Sequence, residues 1–591
     1  MKNLKYIFVL LILAAVSCTT PLTEEEKNSD SVLLKQVHEY TLNEDGSVDY
    51  HYYHRRLYNT YMSFHRLYGE TFVIYNPDYQ TLTVNKSQTT MADGKKVQSP
   101  DNAFNESLPF SAANAPAYNH LREMVITHVG LEIGAVVELD YTIHTKAGFL
   151  PVFSGNLLLN ESSPIKKLEV IVRLPKSQEL NHSFLNKTND VVFEEGKQGR
   201  YQTYSWTSIN LRARSNEPHQ AEGFANYSWL QFSNANLSEV MEVMKSNLSK
   251  PFEVQESMRK LLDSKQKGWE LVGEIRNHVV NNMNTYRVDH KNVGYRFRTP
   301  NQVWESNGGT EGEKAILLAS LLNEAGFNAE VVLAAYPHLL NKEVGCPDVF
   351  DSYMVRVNCS EESKNFSLAS RGEDLEKTRI LVGLNCDIDS LEIDEIVKSN
   401  LVLEMKSAFA ISMQGKVSGN ATLQFNEFDG EQGLLHGISP SSFTSKEEQS
   451  NDTLTVYSVE LGKDFEAKKF DGYMEVELPT IAQGVASASL HELPSKRVAR
   501  LELPASFDER YEYQVSLADG LSFVTPASNL QVENAVGNLS VVFEVTDGKL
   551  KVKKHLKLNQ SIFPESQYSD FRELLNIWSD KNYSKVIVKT E

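Results

Sequence analysis

Hydrophobic residues recur at every second position over much of the first 235 residues. The clearest examples are the segments 47–59, 80–91 and 135–145. Such a period of two is typical of strands that bury one face, and turn signals such as Asp45-Gly46 separate the strands. Many short strands of this kind pack most simply as two sheets face to face. The spacing therefore predicts an N-terminal β-sandwich region over residues 32–235.

The hydrophobic spacing becomes helical beyond residue 236. Ile275, Val279 and Met283, for example, fall on one face of a helix. Thr310 and Glu313 form the T-x-x-E pattern of a capping box, which predicts a helix that begins at Thr310. The apolar stripe predicted for this helix consists of Ala315, Leu318, Ala319 and Leu322. The glycine in Ala325-Gly326 is typical of a helix end.

Alternating segments follow this helix. Those at 349–357 and 364–370 predict strands, so the residues 236–380 are expected to form an α+β domain. From 381 to 591 the alternation returns and predicts a C-terminal β-sandwich, whose last segment adds a short helix and a terminal strand. The predicted fold class is therefore multidomain α+β, in the order β, then α/β, then β.

The first 31 residues have the composition of a targeting segment. Residues 1–17 combine two lysines with a short apolar run and small residues, which is typical of a signal peptide. Ala15-Val16-Ser17-Cys18 resembles a bacterial lipobox, although leucine is commonest where Ala15 stands. The expectation is cleavage before Cys18 and lipid attachment to its thiol, with 18–31 as a polar tether. The alternative is a plain secretory signal with an incidental cysteine.

Composition narrows the classes of partner. The chain has 591 residues and a net charge of −19, which disfavours binding to nucleic acid phosphates. Cys346, Cys359 and Cys386 show no metal-ligand spacing, and three sparse cysteines point to packing residues or one disulfide. His51 and His54 differ by an odd number on one strand, so they face opposite sides and cannot share a metal. No cofactor and no metal are predicted.

The helix, strand, strand order over 236–380 resembles the core of the transglutaminase-like (papain-like) superfamily. In that family a motif close to G-D-C-x-D-K-A opens the helix, and a histidine and an aspartate on the next two strands complete the site. Gly309, Glu313 and Lys314-Ala315 match the motif, but Glu311 stands at the cysteine. In the histidine and aspartate positions the chain has Ser352 and Ala369. All three residues that thiol catalysis requires are replaced.

Two further resemblances flank this region. Residues of about 40 to 230 resemble the DUF3857 domain that precedes transglutaminase-like domains in Bacteroidetes proteins. The matching positions are Leu131, Gly134, Val136, Glu138 and Tyr141, with Ile133 in place of a proline. The segment 562–588 resembles the end of a DUF3858-like domain. Together these resemblances imply a Bacteroidetes-type lipoprotein, anchored in the outer membrane and facing either the periplasm or the surface.

The expected function is a binding, scaffold or accessory role in the cell envelope, with the membrane as one partner and a peptide, protein or glycan as ligand. The first alternative is an active cysteine peptidase or amidase, which requires a Cys–His pair at the Thr310 helix. Cys346 and Cys359 lack the helix-start setting that lowers a thiol pKa. The second alternative is a glycan-binding protein, which predicts an exposed aromatic cluster. Tyr50, Tyr52 and Trp206 are instead expected in the sandwich core.

Overall fold

The structure is a computed structural model that describes part of the chain. The described residues are 21–186, 191–369, 375, 378–393, 400–426, 443–451, 454–461, 465–479, 484, 485, 490 and 493–590. The predicted signal peptide (1–17) and the predicted lipid site, Cys18, lie outside them. The described part is mostly β-sheet and forms several sheets with separate cores. Among these residues, each helix is too short or too polar to cross a bilayer.

The N-terminal part contains fourteen described strands. They are β1 (Ser31–Leu42), β2 (Val48–Tyr58), β3 (Glu70–Tyr75), β4 (Gln80–Thr90), β5 (Lys96–Gln98), β6 (Phe104–Ser107), β7 (Arg122–Thr127), β8 (Val136–Thr145), β9 (Ser154–Leu158), β10 (Ile165–Pro175), β11 (Asn181–Leu185), β12 (Val192–Gln198), β13 (Tyr201–Leu211) and β14 (Trp229–Ser233). Two short helices accompany them: α1 (Glu24–Asn28) and α2 (Gly223–Asn226).

These strands form one large sheet and two small ones. The large sheet has the order β12-β13-β10-β1-β2-β8-β4-β5, and the small sheets have the orders β11-β14-β9 and β3-β7-β6. Alternate residues of β10, such as Val170 and Val172, pack with Phe232 of β14, while Leu139 of β8 packs with Ile126 of β7. Burial of each such side chain contributes about 1.5–3 kcal/mol. The predicted alternation thus faces two separate apolar cores.

Tyr40 of β1 and Tyr50 and Tyr52 of β2 lie on the core side of the large sheet. Tyr50 and Tyr52 pack against Tyr141 of β8, and Trp206 is buried, as expected for core residues. His51 bonds to Asp140 at 2.9 Å, whereas His54 is buried with Tyr52, so the two histidines face opposite sides as predicted. No exposed aromatic cluster is formed by these residues.

The described part of the predicted tether is folded onto the domain. Thr23 caps α1 through a capping box with Glu26. The Glu26 side chain is buried and forms an ion pair with Lys166 at 3.0 Å. A polar, acidic segment can therefore be ordered here, because a short helix cap and a partly buried lysine satisfy its charges.

The central part combines helices with a four-stranded sheet. Its helices are α3 (Leu237–Leu248), α4 (Glu256–Leu262), α5 (Trp269–Asn281), α6 (Pro300–Glu305) and α7 (Glu311–Glu324). Its strands are β15 (Asn284–Thr285), β16 (Gly308–Gly309), β17 (Asn328–Ala335), β18 (Phe350–Cys359), β19 (Glu362–Ser367) and β20 (Ile380–Gly383). The main sheet has the order β19-β18-β17-β20 and is antiparallel.

Helix α7 lies between this sheet and α5 and α6. The predicted stripe is buried, but Ile316, Leu317 and Leu321 are buried as well, because the helix has protein on several sides. The central part also extends past residue 380, where a domain boundary was predicted. Strand β20 pairs with β17, and Ile388 belongs to the same core, so the boundary lies beyond them.

The C-terminal part is again mostly strands. They are β21 (Asn400–Ile411), β22 (Val417–Asn426), β23 (Phe443–Asn451), β24 (Leu454–Leu461), β25 (Lys468–Phe470), β26 (Tyr473–Glu477), β27 (Leu501–Glu502), β28 (Ser506–Leu517), β29 (Leu521–Phe523), β30 (Ser528–Glu533), β31 (Gly537–Thr546), β32 (Lys549–Leu558), β33 (Ile562–Phe563) and β34 (Lys585–Thr590). The predicted late helix and terminal strand are α8 (Tyr568–Trp578) and β34.

An eight-stranded sheet in the order β23-β24-β22-β21-β28-β32-β31-β30 carries this part, with β25-β26-β34-β29 as a second sheet. Phe507, Leu556 and Phe571 are among the fully buried side chains of its core, the last of them on α8. The assignment of the N-terminal and C-terminal parts as β-sandwiches stays a prediction. The assignment of the central part as a papain-like domain also stays a prediction.

Candidate functional site

The N-terminus of α7 is built as the capping-box pattern predicts. The Glu313 amide donates to Thr310 Oγ1 at 3.4 Å, and the Thr310 amide donates to Glu313 Oε2 at 2.9 Å. Gly309 precedes the cap in a tight space, since an added Cβ would lie 3.0 Å from Cγ1 of Val303. The glycine and the T-x-x-E pattern together fix where the helix begins.

Glu311 is the first residue of α7 and contacts the start of β18. Its Oε1 accepts a hydrogen bond from Ser352 Oγ at 2.7 Å and another from the Tyr353 amide at 3.3 Å. The side chains of Glu311 and Ser352 are partly exposed. The structure therefore brings together two of the three residues that the sequence aligned with a catalytic triad.

Ala369 lies two residues beyond the end of β19, the strand that pairs with β18. Met354 pairs with Ser367, and this is the last pair of the ladder before Ala369. Its amide donates to Ser367 Oγ at 3.1 Å, and its carbonyl accepts from Arg276 at 3.3 Å. A methyl side chain has no polar atom with which to orient a neighbour. The three positions thus hold a carboxylate, a hydroxyl and a methyl group.

Glu313, in the first turn of α7, forms a buried ion pair with Arg298. Arg298 donates from Nε to Oε1 at 3.0 Å and from Nη2 to Oε2 at 2.9 Å, and Tyr118 Oη donates to Oε1 at 2.6 Å. Burial opposes ionisation of Glu313, but the hydrogen bonds and charge of Arg298 outweigh it and hold the pKa of Glu313 below its ordinary value. Because Tyr118 belongs to the N-terminal part, this carboxylate joins two parts of the chain.

Lys314 is fully buried on the opposite side of the helix start. Its Nζ donates to the carbonyls of Val280 and Met283, each at 3.2 Å, and to Thr285 Oγ1 at 2.8 Å. Burial lowers the pKa of Lys314 to about 8. A cation at the end of α5 stabilises the carbonyls that the helix leaves unpaired. The Lys-Ala pair of the motif therefore has a structural role.

A histidine that the sequence did not single out lies beside the site. The His290 ring packs 4.8 Å from the Phe297 ring and 5.0 Å from the Tyr353 ring, measured between centroids. Burial lowers the pKa of His290 to about 4, so the ring is neutral at pH 7. No spacing pattern around residue 290 signals this position, since it depends on a 3₁₀ turn folding back onto β18.

The described cysteines are free thiols. Cys346 is buried, and its Sγ contacts the carbonyl oxygens of Gly155 and Phe232, each at 3.5 Å. Burial raises the pKa of the Cys346 thiol to about 12. A thiol in this setting stays protonated and is a poor nucleophile.

The C-terminal part contains a cavity of about 620 Å³ with buried charges beside it. Lys554 lines the cavity, lies 4.7 Å from the Trp578 ring and donates to Ser584 Oγ at 3.1 Å. Glu509 is buried near Lys554. Burial raises the pKa of Glu509 to about 7 and lowers the pKa of Lys554 to about 8. Because burial shifts both pKa values toward the neutral forms, Glu509 and Lys554 should make the stability of the protein depend on pH, unlike an exposed ion pair.

Glu509 is expected to contribute stability that is lost as the pH rises from about 4.5 to 7. Over this window the folded state keeps the Glu509 proton, whereas an unfolded carboxyl with the ordinary value of 4.5 loses it. Stability falls with pH wherever the folded state binds more protons, here by up to about 3 kcal/mol. Glu509→Gln removes this titration, so the stability of the wild type relative to Glu509→Gln should decrease between about pH 5 and about pH 8.

The matched control for this measurement is Glu512→Gln. Glu512 lies on the same strand, has an exposed side chain and pairs only distantly with Lys553, at 3.7 Å. It should follow the wild-type pH profile. A Glu509→Gln profile that coincides with both would contradict the role given to Glu509.

Two family models match the chain. Residues 44–215 match DUF3857 and residues 476–588 match DUF3858, each described as a domain of unknown function with a solved structure. Both predicted resemblances are therefore confirmed. No curated protein matches the chain. The transglutaminase-like assignment of the central part stays a prediction.

Solved structures add one similarity over nearly the full length. A crystal structure from Parabacteroides distasonis ATCC 8503, described as a "putative protease", is 26% identical, covers 95% of this chain and 99% of that chain, and has a TM-score of 0.64. A variant M1 zinc metallopeptidase from Deinococcus radiodurans is 10% identical over 34% of this chain and 42% of its own, with a TM-score of 0.17. A protein from Legionella pneumophila described as nutrient binding is 11% identical over 50% and 94%, with a TM-score of 0.18.

Proposed function

We propose that the protein is a lipoprotein of the cell envelope whose transglutaminase-like domain is not catalytic. In this proposal Cys18 carries the lipid, two β-sandwiches flank a papain-like α+β domain, and the molecule has a binding, scaffold or accessory role. A peptide, protein or glycan is its ligand. The DUF3857 and DUF3858 matches on either side of the central part support the arrangement.

The Glu311–Ser352 hydrogen bond carries the proposal. A thiol enzyme of the superfamily needs a thiolate at the helix start, with an imidazole beside it to carry the proton. Here a carboxylate accepts from a hydroxyl at 2.7 Å in the corresponding place. The carboxylate suits the positive end of α7, and the serine hydroxyl satisfies it. Such a pair stabilises the helix start and supplies no nucleophile.

The second candidate is a cysteine peptidase. The similarity to the Parabacteroides distasonis protein, whose description names a protease, favours it. It needs a reactive thiol near the start of α7. Cys346 is the described cysteine nearest in sequence to the start of β18, yet it lies against Gly155 and Phe232 with a raised pKa, which disfavours this candidate.

Peptidyl electrophiles that label active cysteine peptidases separate the two candidates. The full-length protein is expected to show no labelling beyond that of a heat-denatured sample, because burial raises the pKa of Cys346 and keeps its thiol protonated. Labelling would be located by peptide mass spectrometry. Native-state labelling that Cys346→Ser abolishes and Cys359→Ser preserves would reject the non-catalytic proposal.

A further inference from the structure

Two loops meet at one end of the large N-terminal sheet. The first joins β2 to β3, and the second joins β7 to β8. The Gly134 amide donates to the Tyr58 carbonyl at 2.8 Å, and the His128 amide donates to the Gly69 carbonyl at 3.0 Å. The two loops therefore share one surface at the end of the sheet.

This surface exposes four large apolar side chains, which we name the apolar tip. The exposed fractions are 61% for Tyr61, 52% for Met62, 48% for Leu67 and 60% for Ile133. Isolated exposed apolar residues are common, but four on two adjoining loops form a patch that water disfavours. Tyrosine suits a boundary between water and an apolar phase, since its ring is apolar and its hydroxyl is polar.

The loop holds these side chains outward with a fixed backbone. A π-helical turn spans Ser63–Leu67, and Tyr58 Oη donates to the Tyr68 carbonyl at 2.7 Å beneath it. The Tyr61 ring packs 4.9 Å from the His65 ring. The π-helical turn and the hydrogen bond from Tyr58 Oη thus support the backbone that carries the exposed side chains.

The start of the described chain lies against the same loop. Asn59 Nδ2 donates to the Glu26 carbonyl at 2.8 Å and to the Ser29 carbonyl at 3.0 Å. Thr60 Oγ1 donates to Asp30 Oδ1 at 2.6 Å. Cys18 precedes Pro21 by three residues, which span at most about 10 Å when extended. A lipid on Cys18 would thus hold the bilayer surface close to the apolar tip.

We propose that the apolar tip inserts into a phospholipid bilayer at the boundary between the headgroups and the upper acyl chains. The inference rests on the proposed lipid attachment at Cys18. The tip gives the protein a second contact with the membrane and so restricts its orientation there. The exposed side chains of His65 and Arg66 on the same turn suit the phosphate groups at the bilayer surface.

Fluorescence quenching tests the contact directly. Full-length Tyr61→Trp protein is reconstituted in vesicles of phosphatidylethanolamine and phosphatidylglycerol that carry brominated acyl chains, and its emission is compared with that of the wild type. The added tryptophan is expected to lose about half of its emission, because it lies at the depth of the upper acyl chains. Val545→Trp, at a C-terminal position with a similar exposed fraction of 48%, should keep its emission.

The lipid anchor is tested separately, through membrane retention of the wild type and of Cys18→Ser. Loss of retention in Cys18→Ser, with no quenching of Tyr61→Trp, would overturn the tip inference and leave the anchor intact. Quenching in the purified Cys18→Ser/Tyr61→Trp protein would support the tip even if the wild type were not retained. A tip-mediated dimer, seen by ultracentrifugation and abolished by Met62→Ser and Leu67→Ser, would overturn the inference in favour of self-association.

Discussion

Arg298→Ala is expected to destabilise the protein by about 3–5 kcal/mol, because it leaves the buried Glu313 carboxylate without its cation. Arg298 makes two side-chain hydrogen bonds to that carboxylate, at 3.0 and 2.9 Å, and Glu313 is fully buried. The loss should appear as a lower midpoint of urea unfolding, with the first transition involving the central part. The donors that remain, Tyr118 Oη and the amides of Thr310 and residue 298, are neutral and cannot replace the lost cation.

Two variants show whether the effect comes from the buried charge. Lys27→Ala breaks an exposed ion pair with Glu24, at 2.7 Å, and should cost no more than about 1 kcal/mol. Adding Glu313→Gln to Arg298→Ala removes the unpaired charge and should recover part of the loss. If Arg298→Ala were as mild as Lys27→Ala, the buried pair would not be what holds the start of α7.

The start of α7 shows which contacts can be predicted from neighbouring residues in the sequence. Thr310 and Glu313 lie three residues apart, so the capping box is visible in the sequence and the structure contains it. Unlike the capping box, the contact between the Glu313 carboxylate and Tyr118 joins residues that are far apart in the sequence. Tyr118 is separated from Glu313 by 195 positions, and a contact across that distance depends on how the N-terminal and central parts pack. No local pattern encodes it.

In the candidate site, too, some residues could be predicted from the sequence and others could not. The alignment that placed Glu311 and Ser352 in corresponding roles comes from motif spacing, and the structure brings their side chains together. His290 was missed, because a turn carries it to Tyr353 and its own segment has no motif. Periodicity predicted strands such as β2, β4, β8 and β18 but set a boundary at residue 380, inside β20, since a short strand that pairs late with β17 leaves no composition change.

Glu311→Cys is expected to create a thiol that alkylates about tenfold faster at neutral pH than an ordinary one. The substitution places sulfur at the first residue of a 14-residue helix, where the helix dipole stabilises a thiolate and lowers the thiol pKa. Iodoacetamide at low concentration, followed by peptide mass spectrometry, measures the rate at residue 311 apart from the three described native thiols. Adding Ser352→His supplies a proton acceptor beside the sulfur, and the rate should rise further.

Glu324→Cys is the matched control, since it puts a thiol on the last residue of the same helix, in an exposed position. The negative end of the dipole raises a thiol pKa there, so its alkylation should be the slower of the two. Equal rates at 311 and 324 would show that the Glu311 position lacks the electrostatic setting of a nucleophile, and the alignment with a lost triad would fail. A fast Glu311→Cys variant that still cleaves no peptide, even with Ser352→His and Ala369→Asp added, would instead show that the chain has also lost the surrounding cleft.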